Sequence, residues 1–294
     1  MKQPAGSRWL YYRGYVQFFS ALLANSYYLS QLRGFCYPVL NCWACPAANF
    51  ACPIGALQYA TIAARRGLGV ASLAAVLPLY VLGTLVLFSA LFGRMMCGWL
   101  CPFGWLQDLL GRLRRNKLKT PRWTGYTRYA VLVGLVFVIP YCTGSPWFTK
   151  LCPQGALQGG IFQPLLYPEL RAGIHSLWYL KQGILLATLV AMIFIRRPFC
   201  GIVCPLGAIF SLFNRHSAWQ IRYDADRCTN CMWCVANCPA AIDPRKEANG
   251  HSCISCLECQ KCPYEAIHSQ PSWRRQPCSA HPDQAMGDVS TTIE

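Results

Sequence analysis

The sequence predicts an all-α membrane protein: four transmembrane helices in two tandem halves, followed by a small α+β domain at the C-terminus. Three observations predict it. Of 294 residues, 54% are hydrophobic and 13% are charged, about half the ~25% charge of ordinary globular domains. These fractions exclude disorder and argue against an ordinary soluble enzyme, and before Tyr223 the only acids are Asp108 and Glu169, an acid-poor apolar stretch that suggests a membrane. A cysteine-proline signature also recurs four times, each copy just after an apolar run.

The apolar runs are roughly 9–32, 68–92, 128–147 and 176–195. About 20 apolar residues cross a hydrocarbon core of ~30 Å. The second and fourth runs are the cleanest. The third is short and contains Pro140. The first is interrupted by Arg13, Gln17, Asn25 and Gln31, and the competing reading there is an interfacial helix. Basic residues set the orientation. Arg94, Arg112, Arg114, Arg115, Lys117, Lys119, Arg122 and Arg128 crowd the connection between the second and third runs. Lys2 and Arg8 precede the first run, and Arg196, Arg197 and Arg215 follow the fourth. Both termini are therefore expected in the cytoplasm of a bacterial inner membrane, with connections 33–67 and 148–175 outside. The net charge of +16 does not indicate nucleic acid, because the basic residues flank apolar runs instead of forming one patch.

The repeat reads Cys52-Pro-Ile-Gly-Ala-Leu-Gln, Cys101-Pro-Phe-Gly-Trp-Leu-Gln, Cys152-Pro-Gln-Gly-Ala-Leu-Gln and Cys204-Pro-Leu-Gly-Ala-Ile-Phe, with starts 49, 51 and 52 residues apart. A fixed period marks a repeated supersecondary unit, here a membrane helix followed by a turn that opens a short helix. Two copies are near-identical C-G-x-x-C-P-x-G motifs, Cys97–Gly104 and Cys200–Gly207. They point to two halves related by an axis along the membrane normal.

These motifs suit an iron–sulfur cluster. Proline at the first helical position forfeits no needed donor, and a cysteine before it sits where free N–H groups and the helix dipole favour negative charge. A [4Fe–4S] cluster takes four thiolates. Cys97, Cys101, Cys200 and Cys204 supply four at the inner face, and no histidine completes a zinc site. At the outer face stand Cys36, Cys42, Cys45, Cys52, Cys142 and Cys152. By repeat logic Cys45 or Cys42 joins Cys52 and Cys142 joins Cys152, so Cys45, Cys52, Cys142 and Cys152 are the expected outer set. Disulfides are the alternative there.

After residue 219 the composition changes. Cys228-x-x-Cys231-x-x-Cys234-x-x-x-Cys238-Pro is the bacterial two-cluster ferredoxin run, and Cys253, Cys256, Cys259 and Cys262-Pro form a second. The fourth cysteine of each run serves the other cluster, giving one set of Cys228, Cys231, Cys234 and Cys262 and another of Cys253, Cys256, Cys259 and Cys238. The second run has two residues before its last cysteine where three are usual. The expected domains are therefore 1–219 in the membrane, 220–270 as a ferredoxin domain held together by its clusters, and 271–294 as a polar disordered tail, with Cys278 a thiol outside any site.

Together, the paired C-G-x-x-C-P-x-G motifs, the four apolar runs and the terminal two-cluster ferredoxin resemble the NapH/NosR type of membrane iron–sulfur protein. The resemblance covers roughly 8–268. It implies quinol-linked electron transfer beside partner redox subunits of a respiratory complex. The chain departs from the family in its cysteine-rich stretch Cys36–Cys52 and in lacking the flavin-binding periplasmic domain of the NosR branch.

The expected function is thus a membrane electron-transfer subunit, passing electrons between a quinone pool or an outer partner and ferredoxin-type clusters. Near the outer mouth of the fourth run, His175 and Glu169 are the titratable candidates for a quinone site. The absence of C-x-x-C-H excludes a c-type haem. The competing readings are a membrane copper reductase or cofactor-maturation protein, suited to the Cys36–Cys52 stretch, and a structural anchor for the ferredoxin domain.

Overall fold

The structure, a computed structural model, describes residues 10–25, 36–42, 52–66, 73–114, 117–118, 121–169 and 176–274. The tail, His175, Cys45 and Cys278 lie outside the described residues. The chain is mostly helical: α1 (Arg13–Ala24), α2 (Pro53–Arg65), α3 (Leu73–Phe92), α4 (Met95–Trp99) and α5 (Pro102–Gly111) are followed by α6 (Trp123–Thr143), α7 (Trp147–Leu151), α8 (153–166), α9 (Ser176–Phe194) and α10 (Pro205–Phe213). The strands among the described residues are β1 (Trp219–Tyr223) and β2 (Ile267–Pro271), antiparallel, with Trp219 opposite Pro271 and Tyr223 opposite Ile267. They bracket the two ferredoxin-like cysteine runs.

Among the described residues two helices, α6 and α9, are long and apolar enough to cross a membrane. The 20-residue α3 occupies the second apolar run, with a shorter apolar stretch at Leu79–Phe92. Four spans were expected, and α1 falls short at 12 residues. Pro140 does not break α6. A π-helical turn at Leu132–Val138 precedes it, and such a widened turn accommodates a residue without an N–H.

The helices wear their apolar side chains outward. On α1, Arg13, Gln17 and Ser20 are buried, while Tyr12, Tyr15 and Phe19 are each more than 60% exposed. Leu79, Leu87, Val133, Leu180 and Leu186 are likewise exposed. Outward apolar faces of this extent mark a surface that meets lipid or other protein.

All four cysteine-proline turns adopt one conformation. Cys52, Cys101, Cys152 and Cys204 are extended, with φ between −72° and −63° and ψ between 113° and 123°. The following proline ring forbids helical backbone there. Each cysteine carbonyl then accepts from the residue four on: Ala56, Trp105, Ala156 and Ala208, at 3.1, 3.0, 2.9 and 3.1 Å. α5 packs on α1 and α9, α10 packs on α3 and α6, and α2 packs on α3 and α6.

Candidate functional site

The inner site is built by the ends of α4, α5 and α10 and the π-helical turn Phe199–Val203. Cys97, Cys101, Cys200 and Cys204 are all buried and lie near enough to act on one another electrostatically. In both inner motifs the third residue after the cysteine-proline cysteine has little room for a side chain. A Cβ on Gly104 would meet the Cys97 carbonyl at 2.9 Å, and one on Gly207 would meet that of Cys200 at 3.2 Å. Hydrogen bonds reach the thiols: Gln107 Nε2 donates to Cys200 Sγ at 2.8 Å, and the Gly207 N–H donates to Cys204 Sγ at 3.4 Å.

Arginines cross between the halves. Arg197 Nη1 donates to the Cys97 carbonyl at 3.1 Å, and Arg94 Nη2 donates to that of Cys200 at 3.2 Å. Each arginine stands three residues before the first cysteine of its own motif and serves the motif of the other half. The sequence offered the signal, R-x-x-C-G-x-x-C-P, but both residues read there only as orientation charges. Arg197 also donates its Nε to Asp108 Oδ1 at 2.7 Å, and Arg13 pairs with the same carboxylate.

The glutamines that close three of the repeats make similar crossings. Gln58 Oε1 accepts from the Thr149 N–H and hydroxyl at 3.2 and 2.6 Å. Gln158 Oε1 accepts from the Cys42 N–H at 2.7 Å. The repeat displayed these residues, but their partners, 91 and 116 positions away, left no local trace.

The outer cysteines divide. Cys42, Cys52 and Cys152 line one small cavity of about 20 Å³ beneath Leu40, Phe148 and Gly155. Cys142, expected beside Cys152, is exposed in the last turn of α6, and its carbonyl accepts from Arg65. Continuation of α6 to Thr143 turns that thiol away from the cavity. Cys36 is buried, and its N–H donates to the Tyr80 hydroxyl.

In the C-terminal segment, Cys262 acts electrostatically on Cys234, and Cys238 on Cys256 and Cys259. These neighbours bring the two runs close to each other. Burial pushes the Cys256 thiol up to about 12 and the Cys259 thiol well above its ordinary value. Iron binding there must expel protons. Cys228 and Cys231 lie nearer solvent, half-buried and exposed.

The segment is seated directly on the inner site. A Cβ on Gly98, next to Cys97, would meet the Ile254 carbonyl at 2.7 Å and Cys256 Cα at 3.1 Å. Arg13 ties the same place together, donating to the Gly98 carbonyl at 2.9 Å and to Glu258 at 3.0 Å. Beside this seam opens a cleft of about 910 Å³ whose lining includes Tyr15, Phe18, Trp105, Asp108, Cys238 and Glu258. Glu169, a sequence candidate for a quinone site, is exposed and lies outside this lining.

The donor set fits iron–sulfur clusters better than a single ion. Among the described residues, no three His, Cys, Asp or Glu side chains converge closely enough to hold one metal, whereas cysteines around a four-iron core stand further apart. The inner site also has buried donors without acceptors, Nε of Arg94 and both Nε and Nη1 of Arg128. Buried donors of this kind call for a negatively charged group nearby.

Three stretches of the chain, 74–121, 124–168 and 183–222, match the family described as 4Fe-4S binding domain. Among curated proteins, the chain is 30% identical over 203 residues to an uncharacterized protein of Methanocaldococcus jannaschii, covering 65% of this chain and 78% of that one. It is 30% identical over 196 residues to the regulatory protein NosR of Stutzerimonas stutzeri, covering 59% of this chain and 25% of NosR. It is 28% identical over 189 residues to the ferredoxin-type protein NapH of Haemophilus influenzae, covering 60% and 61% of the two. The chain thus spans less than two thirds of NapH and a quarter of NosR. No solved structure matches it.

Proposed function

The chain belongs to the NapH/NosR type of 4Fe–4S ferredoxin-type proteins, and from that premise we propose that it is a membrane subunit passing electrons between quinol or an outer redox partner and ferredoxin-type clusters. Four helices span the bilayer in two tandem halves, with both termini cytoplasmic. Residues 220–270 hold two [4Fe–4S] clusters, on Cys228, Cys231, Cys234 and Cys262 and on Cys253, Cys256, Cys259 and Cys238. Cys97, Cys101, Cys200 and Cys204 hold a third at the inner face. Cys42, Cys52 and Cys152 belong to an outer site. When bound, the clusters supply one-electron carriage.

The seating of Gly98 on the Cys256 backbone supports this reading most strongly, since it makes the inner site and the ferredoxin segment neighbours through main chain alone. Gln107 orients the Cys200 thiol by donating to it. Quinol is assigned to the cleft beside the seam, whose volume of about 910 Å³ lies within the usual range for small-molecule sites. Its aromatic side chains, Tyr15, Phe18 and Trp105, suit a ring. Other redox subunits complete the complex.

Anaerobically purified protein is expected to contain about sixteen irons per chain with an outer cluster and about twelve without one, and a soluble quinol should reduce them. About eight irons would mean that the membrane cysteines bind nothing and would end this reading. A second reading, a membrane copper reductase or maturation protein, rests on the cavity that Cys42, Cys52 and Cys152 share, whose thiols would have to draw together to hold one ion. Stoichiometric copper there, with no reduction by quinol, would select it.

A further inference from the structure

Arg94 and Arg128 are the most deeply buried cations described, at 0% and 1% exposure. Among the described residues neither has a carboxylate within ion-pair distance, whereas Arg197 is held by Asp108. Both donate to one acceptor, the His251 carbonyl, Arg94 Nη1 at 2.6 Å and Arg128 Nη2 at 2.8 Å. With Arg94 Nη2 on the Cys200 carbonyl, three of their six nitrogens have acceptors and none of their charge is met. Nε of Arg94 and both Nε and Nη1 of Arg128 have no acceptor. A fold that buries a cation without a counter-ion bears one of the heaviest electrostatic costs available, and here two lie side by side.

The charge they lack is present when iron is bound. Arg94 acts electrostatically on Cys97 and Cys200, and Arg128 on Cys204. Four thiolates on an oxidised [4Fe–4S] core carry about −2, and one added electron makes it about −3. Resting on the cluster assignment proposed above, we propose that Arg94 and Arg128 are the fixed counter-charges of the cluster on Cys97, Cys101, Cys200 and Cys204, and that they raise its reduction potential. The step is a one-electron reduction. The electron comes from the donor named in the test, one iron passes from ferric to ferrous, and no bond is made or broken. The guanidinium groups stabilise the added negative charge, which a water-filled surface would screen.

The test is a dithionite titration of the full chain with mediators, followed by electron paramagnetic resonance. The inner signal is the one that Cys101→Ala removes. Arg94→Gln and Arg128→Gln should each keep the iron content and lower the reduced-to-oxidised ratio of that signal at least tenfold at fixed potential, ~59 mV for one electron. Arg94→Lys should retain most of the wild-type midpoint, the ferredoxin signals should not move, and exposed Arg112→Gln should change nothing. Unchanged midpoints in both Gln variants with iron retained would overturn the proposal. If the Gln variants lose the cluster, Arg94→Lys decides. Retention of iron and midpoint in Lys supports the counter-charge role, and loss in Lys as well makes the role structural and overturns it. Cys101→Ala removing no signal would instead refute the cluster assignment itself.

Discussion

One methyl group at position 98 separates a seated ferredoxin segment from a displaced one. The Ile254 carbonyl and Cys256 backbone stand where a Cβ would go, and backbone cannot yield as a flexible side chain can. Overpacking of this kind costs about 1–3 kcal/mol. Gly201, the matching residue of the second motif, has nothing within 4 Å of its would-be Cβ. Gly98→Ala should therefore lower the thermal midpoint of the purified protein and slow electron exchange between the inner and ferredoxin signals, while Gly201→Ala should do neither. Equal behaviour of the two variants would remove Gly98 as the contact point. At position 98 the approaching group is another stretch of the same chain, which the motif has no means of announcing.

At the scale of the element, α1 holds the assembly by its polar stripe. Arg13 joins the Gly98 carbonyl, Asp108 and Glu258, and its side chain is 8% exposed. Breaking a buried ion pair from one side costs about 3–5 kcal/mol. Arg13→Met should thus release residues 219–274 to limited proteolysis at temperatures where the parent resists. Unchanged cleavage rates would mean α1 does not anchor the segment. Gln58→Leu should be milder, about 1–3 kcal/mol, because it strands the Thr149 N–H and hydroxyl without exposing a charge. Hydropathy made the first apolar run look weak because Arg13, Gln17 and Asn25 interrupt it. Those residues interrupt only the inward side. A linear sum over residues cannot separate faces, and which face turns inward is decided by the surrounding solvent and by partners 85 to 245 positions away.

For the whole molecule, the proposed orientation puts the outer cysteines on the far side of the bilayer from the ferredoxin segment. An impermeant maleimide added to intact cells should label exposed Cys142 and spare Cys152, which is 7% exposed. Labelling of Cys152 at the rate of Cys142 would remove the outer site, and labelling of neither would reverse the orientation. The repeat, the cysteine spacing and the ferredoxin runs were legible because each lies within a few consecutive residues. Cys42 was legible as an alternative to Cys45, but the absence of Cys142 from the outer cavity was not. It depends on how many turns α6 completes before Gly144, with φ +68°, ends it.

The crossed arginines have one more consequence. Residue i of one motif touches residue j of the other, and the converse holds, which is the signature of an isologous contact in a two-fold homodimer. A chain with a single motif, one arginine and two thiols would complete a four-thiolate site by pairing with its own copy. Fusion of two such copies frees them to diverge. Gln107 reaches Cys200, but the position matching it is Phe210, and Gly98 receives the 254–256 backbone while Gly201 faces open space. A perfect dyad would offer two equal berths to one ferredoxin segment. The duplicated chain, by losing its symmetry at those positions, has a single berth and so a single route for the electron.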